Sequence, residues 1–515
     1  MNQRMSGGVA TESVGGDGYY NNHEGSPENG FEEPHGPSAS LRIPGGTVNA
    51  NAILNWPIFN DVIEFANLED EDASAFINRF GESMAEEKDS DPPNYLEVPA
   101  LIENFLRNTH TKNPVCEIEP MRECAQKIAE SGPKYDSQTC IVLICCALGC
   151  LSIPWQPERP GQNLLGDSTY YDSDKKRRAK GYFIEARKRL GLLPRLSIPT
   201  CLCYFLSGVY RMYILQPLEA WHEFYEASSI FKLYLEVSSK HRTSYSSLEQ
   251  RLFWSCLKSE VEIFIELSLP TSGIADMAYP TAFPRPPDEP NYSGGSPEQQ
   301  NGELQKIHET SWIYYLTEVL LRRICNRIWN TLYSQGASLW LRWPLDDLIS
   351  VIEGFEMELE EFYNTLPPNA RFDFNEELNN EVVSLLRGRF VELYRYIYRP
   401  ALFCAIHLPR NDETQPILRR FIDKLFGMTV YPPLDEVRIY RHHGTWYYCR
   451  EIWVAALLLL AAVKGGVENP SNAYLQETIS GTIATLEYWV RETETLQRCI
   501  HTLKFGLEAT LRSRS

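Results

Sequence analysis

The sequence predicts an all-α protein, a large multi-helix domain behind a disordered, acidic N-terminal tail. Three observations predict it. Apolar residues return at three- and four-residue steps through long stretches between residues 97 and 511, which is the period of a helix face. No run of alternating apolar and polar residues with hairpin turns accompanies them. The 515 residues are 43% hydrophobic and 12% aromatic, enough to bury a large core.

Taken in order, residues 1–50 are rich in Gly, Asn, Ser and Pro and bury too little apolar surface to offset the entropy of ordering, so disorder is expected. Residues 51–95 differ. They mix Trp56, Phe59, Phe65 and Phe80 with Asp61, Glu64 and the run Glu69–Asp72. Acidic–hydrophobic mixing of this kind suits a segment that folds into a coactivator groove, which makes those four aromatics candidate partner contacts. The alternative is a short amphipathic helix docked on the chain's own body, and the number of aromatics favours that burial.

The body is expected from residue 96 to 515, after Pro92 and Pro93. Helices are predicted at 97–108, 119–131 and 137–151, followed by a Pro/Gly-rich connector at 154–163. Residues 174–190 hold Lys175, Lys176, Arg177 and Arg178, then Arg187, Lys188 and Arg189. Two basic clusters so placed are a candidate nuclear localisation signal. The same spacing keeps Phe183, Ala186 and Leu190 on one side, and that favours the charged face of an amphipathic helix. Further helices are predicted at 199–236 and 248–267. A surface excursion follows at 268–302, which contains seven prolines and four glycines. Helical text resumes at 303–334, 344–366, 376–407, 439–464 and 474–511. No fixed repeat emerges, which argues against a solenoid.

Charge and cysteine usage narrow the function classes. The chain carries a net −19, and residues 1–95 hold four Lys/Arg against seventeen Asp/Glu, a net −13. That segment is unsuited to gripping a phosphate backbone. The start does not read as a signal peptide. Most of the thirteen cysteines sit in apolar helical text, so buried free thiols in a reducing compartment are expected. Cys146/Cys150 and Cys201/Cys203 lack the paired spacing of a zinc site. The longest apolar runs, 140–151 and 452–463, fall short of the roughly twenty residues a membrane span needs. No membrane association is expected.

The run Glu249–Leu267, EQRLFWSCLKSEVEIFIEL, with the loop LPTSGIADMAYPTAFPRPP after it, resembles the signature stretch of the fungal-specific transcription factor domain, the regulatory region of fungal zinc-cluster transcription factors. LIENFLRNTHTKNPVCEIEPMRECAQKIAESG and TCIVLICCALG resemble its opening helices. AKGYFIEARKRLGLL and LSGVYRMYILQPLEAWHEFYEAS resemble its middle helices. RHHGTWYYCREIWVAALLLLAA and ISGTIATLEYWVRET resemble its closing ones. The resemblance covers roughly residues 96–510, in order.

It implies an all-α regulatory domain in the nucleus that controls transcription, with a metabolic (secondary-metabolite) gene cluster as the expected target. The implied partners are the transcription machinery or another regulator, with a homodimer among the options. The six-cysteine DNA-reading module of that family is not found ahead of the domain, since the first cysteine is Cys116. DNA is therefore expected to be contacted only indirectly or through a module outside these residues. No cofactor is expected in this chain, and zinc only with such a module.

An all-α metal-dependent enzyme, such as a terpene synthase, is the rival reading. Asp346 and Asp347 begin its second magnesium pattern, but the third ligand position is Gly354, with Glu353 pointing elsewhere around the helix. The one candidate for the first motif, Glu69–Asp72, lies in the acidic N-terminal segment. The aspartates suit the first turn of a helix after Pro344. His442 and His443 are adjacent and would chelate one ion poorly. They are expected as packing or cap residues beside a core Trp446, and no catalytic role is assigned.

Overall fold

A computed structural model of the chain describes residues 48–49, 51–62, 90–155, 173–238, 245–277, 283–284, 298–374, 378, 380–409, 413–429 and 440–514. The tail expected to be disordered lies outside the described residues apart from Val48 and Asn49. So do Phe65, Phe80 and Glu69–Asp72. All described residues belong to one unit, Pro37–Ser515.

Among them there is no β-strand. The helices are α1 (Asn51–Leu54), α2 (Val98–Asn108), α3 (Ile118–Ser131), α4 (Ser137–Leu151) and α5 (Ser173–Leu190). Then come α6 (Ile198–Tyr213), α7 (Pro217–Ser238), α8 (Ser247–Leu267), α9 (Glu298–Leu332) and α10 (Leu345–Thr365). The last five are α11 (Glu381–His407), α12 (Thr414–Thr429), α13 (Thr445–Lys464), α14 (Asn472–Trp489) and α15 (Gln497–Arg514).

Local chemistry sets the boundaries. A carboxylate oxygen of Asp136 accepts the Thr139 N–H at 2.8 Å at the start of α4, and Asn380 accepts the Val382 and Val383 N–H groups at the start of α11. α8 opens on a reciprocal capping box. Ser246 Oγ accepts the Glu249 N–H at 3.2 Å, and the Glu249 carboxylate accepts the Ser246 N–H at 2.7 Å.

Three expected boundaries are corrected. The stretch 199–236 is two helices, because Leu215 adopts a left-handed φ of 55° and Pro217 restarts the chain as α7. The stretch 474–511 is also two, divided between Trp489 and Gln497 by a 3-10 turn at Glu494–Leu496. α12 was not predicted at all. Its Leu418, Phe421, Ile422 and Leu425 form a buried stripe, and the helix packs on α11.

α4 packs on α2, α5 and α6, while α13 packs on α1, α11, α14 and α15. α4 is apolar on all sides because neighbours cover all sides, and α13 is nearly so apart from Arg450, Glu451 and Lys464. α13 is long and apolar enough to cross a membrane by length and composition, yet most of it is buried inside the protein. No other described helix of spanning length passes that test.

The N-terminal aromatics show where residues 48–62 belong. Trp56 and Phe59 are 2% and 0% exposed. The Trp56 ring meets Phe403 edge-on at 5.0 Å and Trp340 at 6.4 Å. Arg399 donates to the Val48 carbonyl at 3.2 Å, and Lys464 pairs with Asp61 at 2.5 Å. The chain's own helices cover both aromatics in this conformation, as the alternative of a segment docked on the body expects.

Candidate functional site

A cleft opens between α11 and α13, with a volume of about 190 Å³. Helical spacing builds both walls. Ser384, Leu385, Gly388, Glu392 and Arg395 line it from one face of α11. Tyr447, Glu451, Ile452 and Ala455 line it from one face of α13. Glu262 of α8 and Tyr314 of α9 also line it, and Tyr440, His442, His443 and Gly444 form the end wall.

That end wall is a self-bonded turn. Thr445 Oγ1 accepts the His442 N–H at 2.8 Å, and His442 Nδ1 accepts the Gly444 N–H at 3.0 Å. The His442 ring stacks on Tyr440 at 5.6 Å. With Nδ1 accepting, the neutral ring carries its proton on Nε2. Burial, then Lys112 and Arg389, lower the His442 pKa to about 3. Burial, His442 and the same cations push His443 well below its ordinary value. Both rings are neutral at physiological pH. His443 Nδ1 is buried without a hydrogen-bond partner.

Beneath the cleft runs a network of ion pairs. Glu262 accepts from Arg322 at 2.6 Å and also from Arg389. Arg389 reaches Glu318 at 3.3 Å and Glu392 at 2.9 Å, and Lys258 lies 2.9 Å from Glu318. Arg395 pairs with Glu451, and Lys112 with Glu381, which also accepts from the Tyr440 hydroxyl at 2.8 Å. Burial alone would raise the Glu262 and Glu318 carboxyls. The facing cations outweigh it, keeping Glu262 low and taking Glu318 down to about 2. At Glu451 burial wins. Arg395 opposes it and Glu392 adds to it, and the carboxyl is pushed up to about 7.

The candidates named from sequence lie away from this cleft, except for the histidines. The basic run forms α5, with Phe183, Ala186 and Leu190 buried. Its charges are engaged: Lys176 with Glu492 at 2.7 Å, Arg177 with Asp174 at 2.9 Å, Arg178 with Glu97, and Arg187 with Glu223 at 2.9 Å. Lys188 pairs with Glu185 at 2.7 Å, and the buried Arg189 holds the Lys134 carbonyl. Lys175 also has partners.

Asp346 and Asp347 occupy the exposed first turn of α10, and Glu353 pairs with Arg420. All thirteen cysteines are free and buried. Among the described residues no group of three or more His, Cys, Asp or Glu side chains is placed to hold a metal ion.

Sequence reasoning missed Glu262, Arg389, Glu392, Arg395 and Glu451. The available signal was charge inside otherwise apolar helices, as in SEVEIFIEL and in Arg389, Glu392 and Arg395 at three-residue steps. Such charges are buried only when paired.

No family model, curated protein or solved structure matches this chain.

Proposed function

We propose that this chain is the regulatory body of a transcription factor of the fungal zinc-cluster type, acting in the nucleus by contact with the transcription machinery or another regulator. The observation that carries the reading is the position of α8, the stretch with the most specific resemblance. Its charged residues tie it to four other parts of the fold. Arg251 reaches Glu117, just ahead of α3, at 2.7 Å, and Lys258 reaches Glu318 of α9. Glu262 holds Arg389 of α11, and Glu266 holds Arg450 of α13 at 2.8 Å. The pairs of Lys258, Glu262 and Glu266 are largely buried, so breaking one singly leaves a poorly solvated charge, a means by which a change at one helix would be felt at the others. This suits a module that passes on a signal.

DNA contact belongs to another module, in the same polypeptide or on a partner, because a net −13 over residues 1–95 repels phosphate. Binding by these 515 residues alone is expected no tighter than about 10⁻⁴–10⁻⁶ M. The test tethers the whole chain to an unrelated DNA-binding domain in a fungal cell. Reporter transcription should change several-fold relative to that domain alone. An unchanged reporter, with the fusion present and folded, refutes the reading.

A further inference from the structure

We propose that the cleft between α11 and α13 binds a small, uncharged aromatic molecule bearing hydrogen-bonding groups, such as a phenol or an aromatic amide. The site stands apart from the regulatory reading, and neither depends on the other.

Unmet polar atoms come first. His443 Nδ1 is buried without a partner. The Tyr314 and Tyr447 hydroxyls, on α9 and α13, line the same cleft and make no hydrogen bond among the described residues. Buried polar groups are ordinarily satisfied. Of the three, His443 Nδ1 is the buried atom left unsatisfied, and the two cleft hydroxyls, from α9 and α13, offer further hydrogen bonds to a ligand's polar atoms.

Charge then selects the ligand. Lys112, Lys258, Arg322, Arg389 and Arg395 are matched by Glu262, Glu318, Glu381, Glu392 and Glu451. With Glu451 near 7 the network departs from balance by no more than part of one charge at neutral pH, so a charged ligand entering it would be buried without a full counterion, at a large desolvation cost. A neutral one meets no such cost.

Size and shape complete the case. A cavity of about 150 Å³ accepts benzene, so 190 Å³ holds a ring with a few substituent atoms. Tyr447 and Tyr448 supply aromatic surface on one wall. On the other, Gly388 sits in mid-helix, where a Cβ would meet nothing within 4 Å. A glycine there destabilises the helix by comparison with alanine, and no neighbour requires it. It leaves the wall open.

Isothermal titration calorimetry of the whole chain at neutral pH, with three matched probes, tests the proposal. The probes are 4-hydroxybenzamide (neutral), 4-hydroxybenzoate (anionic) and 4-hydroxybenzylamine (cationic). The neutral probe should bind with a Kd of about 1 mM or tighter, as expected of a ligand of this size. It should exceed both charged probes by about ten-fold. Gly388→Leu fills the cleft, so it should weaken binding by about ten-fold or more while leaving the melting temperature unchanged or higher. Tyr447→Phe should weaken binding several-fold. No binding of the neutral probe, tighter binding of a charged one, or full binding by Gly388→Leu would each overturn the proposal. Because no reporter is involved, failure here leaves the regulatory reading untouched.

Discussion

The Lys258 ammonium lies 2.9 Å from a Glu318 carboxylate oxygen, joining α8 to α9, and neither side chain is more than 6% exposed. Two buried charges so close are each other's main compensation. Removing Glu318 leaves Lys258 without this partner in a medium that solvates it poorly. Glu318→Gln should therefore cost about 3–5 kcal/mol in chemical denaturation, whereas the double change Lys258→Met with Glu318→Leu should recover most of that loss. A single substitution costing under about 1 kcal/mol, the range of exposed pairs, would show that the pair is solvated. The pH sign follows from the pKa of about 2. Stability from Glu318 is present above its unfolded value near 4.5 and is lost as pH falls toward 2.

Trp56 supports a second prediction. Its ring is enclosed by Trp340, Phe403 and His407. Trp56→Ala should lower stability by about 3–5 kcal/mol, the range for a large core aromatic. Residues 53–85 tethered alone to a DNA-binding domain should leave a reporter silent, since Trp56 and Phe59 serve the body. An active fragment that loses activity on Trp56→Ala, with little change in the melting temperature of the full chain, would restore the coactivator-groove reading.

The helical fold was legible because periodicity is a local property. The stripe Phe253, Trp254, Leu257, Val261 identifies a helix without knowledge of what covers it. α12 carries an equally clear stripe, Leu418, Phe421, Ile422 and Leu425, and was readable in principle. The break at Leu215 was not. A left-handed leucine has no sequence signature, and only the following Pro217 hinted at a restart.

The cleft was far less legible. Its walls come from α8, α9, α11 and α13, whose lining residues are separated by up to about two hundred positions. Pairing between Glu262 and Arg389 depends on tertiary packing that no local pattern encodes. The histidine pair was visible and read as packing or cap residues; of the two, His442 accepts the Gly444 N–H. The empty space beside His443 was not foreseen.

A third prediction concerns α5. Replacing Lys175, Lys176, Arg177 and Arg178 with alanine removes the half-exposed pairs of Arg177 and Arg178, each contributing about 0–1 kcal/mol, together with the more buried Lys176–Glu492 pair. Glu492 would lose Lys176 but keep Arg441. Microscopy of the tagged variant should show unchanged localisation, with a melting temperature only slightly lower. A folded variant retained in the cytoplasm would instead assign nuclear import to this run.

The last prediction sets two cleft residues against each other across the pH scale. His442 has its pKa lowered to about 3, first by burial and then by Lys112 and Arg389. The fold favours its neutral form, so its contribution is complete above the unfolded value near 6.5 and is lost as pH falls toward 3. Glu451 is shifted the other way, up to about 7, so its contribution is complete below about 4.5 and is lost as pH rises through 7. His442→Asn keeps an oxygen able to accept the Gly444 N–H while removing the titration. Its melting temperature should therefore fall less than that of the parent chain between pH 6.5 and 4.5. Glu451→Gln should flatten the opposite limb, between about pH 4.5 and 7. Calorimetric melting curves across this range separate the two limbs. If either variant followed the parent at a constant offset, its residue would not be the titrating group.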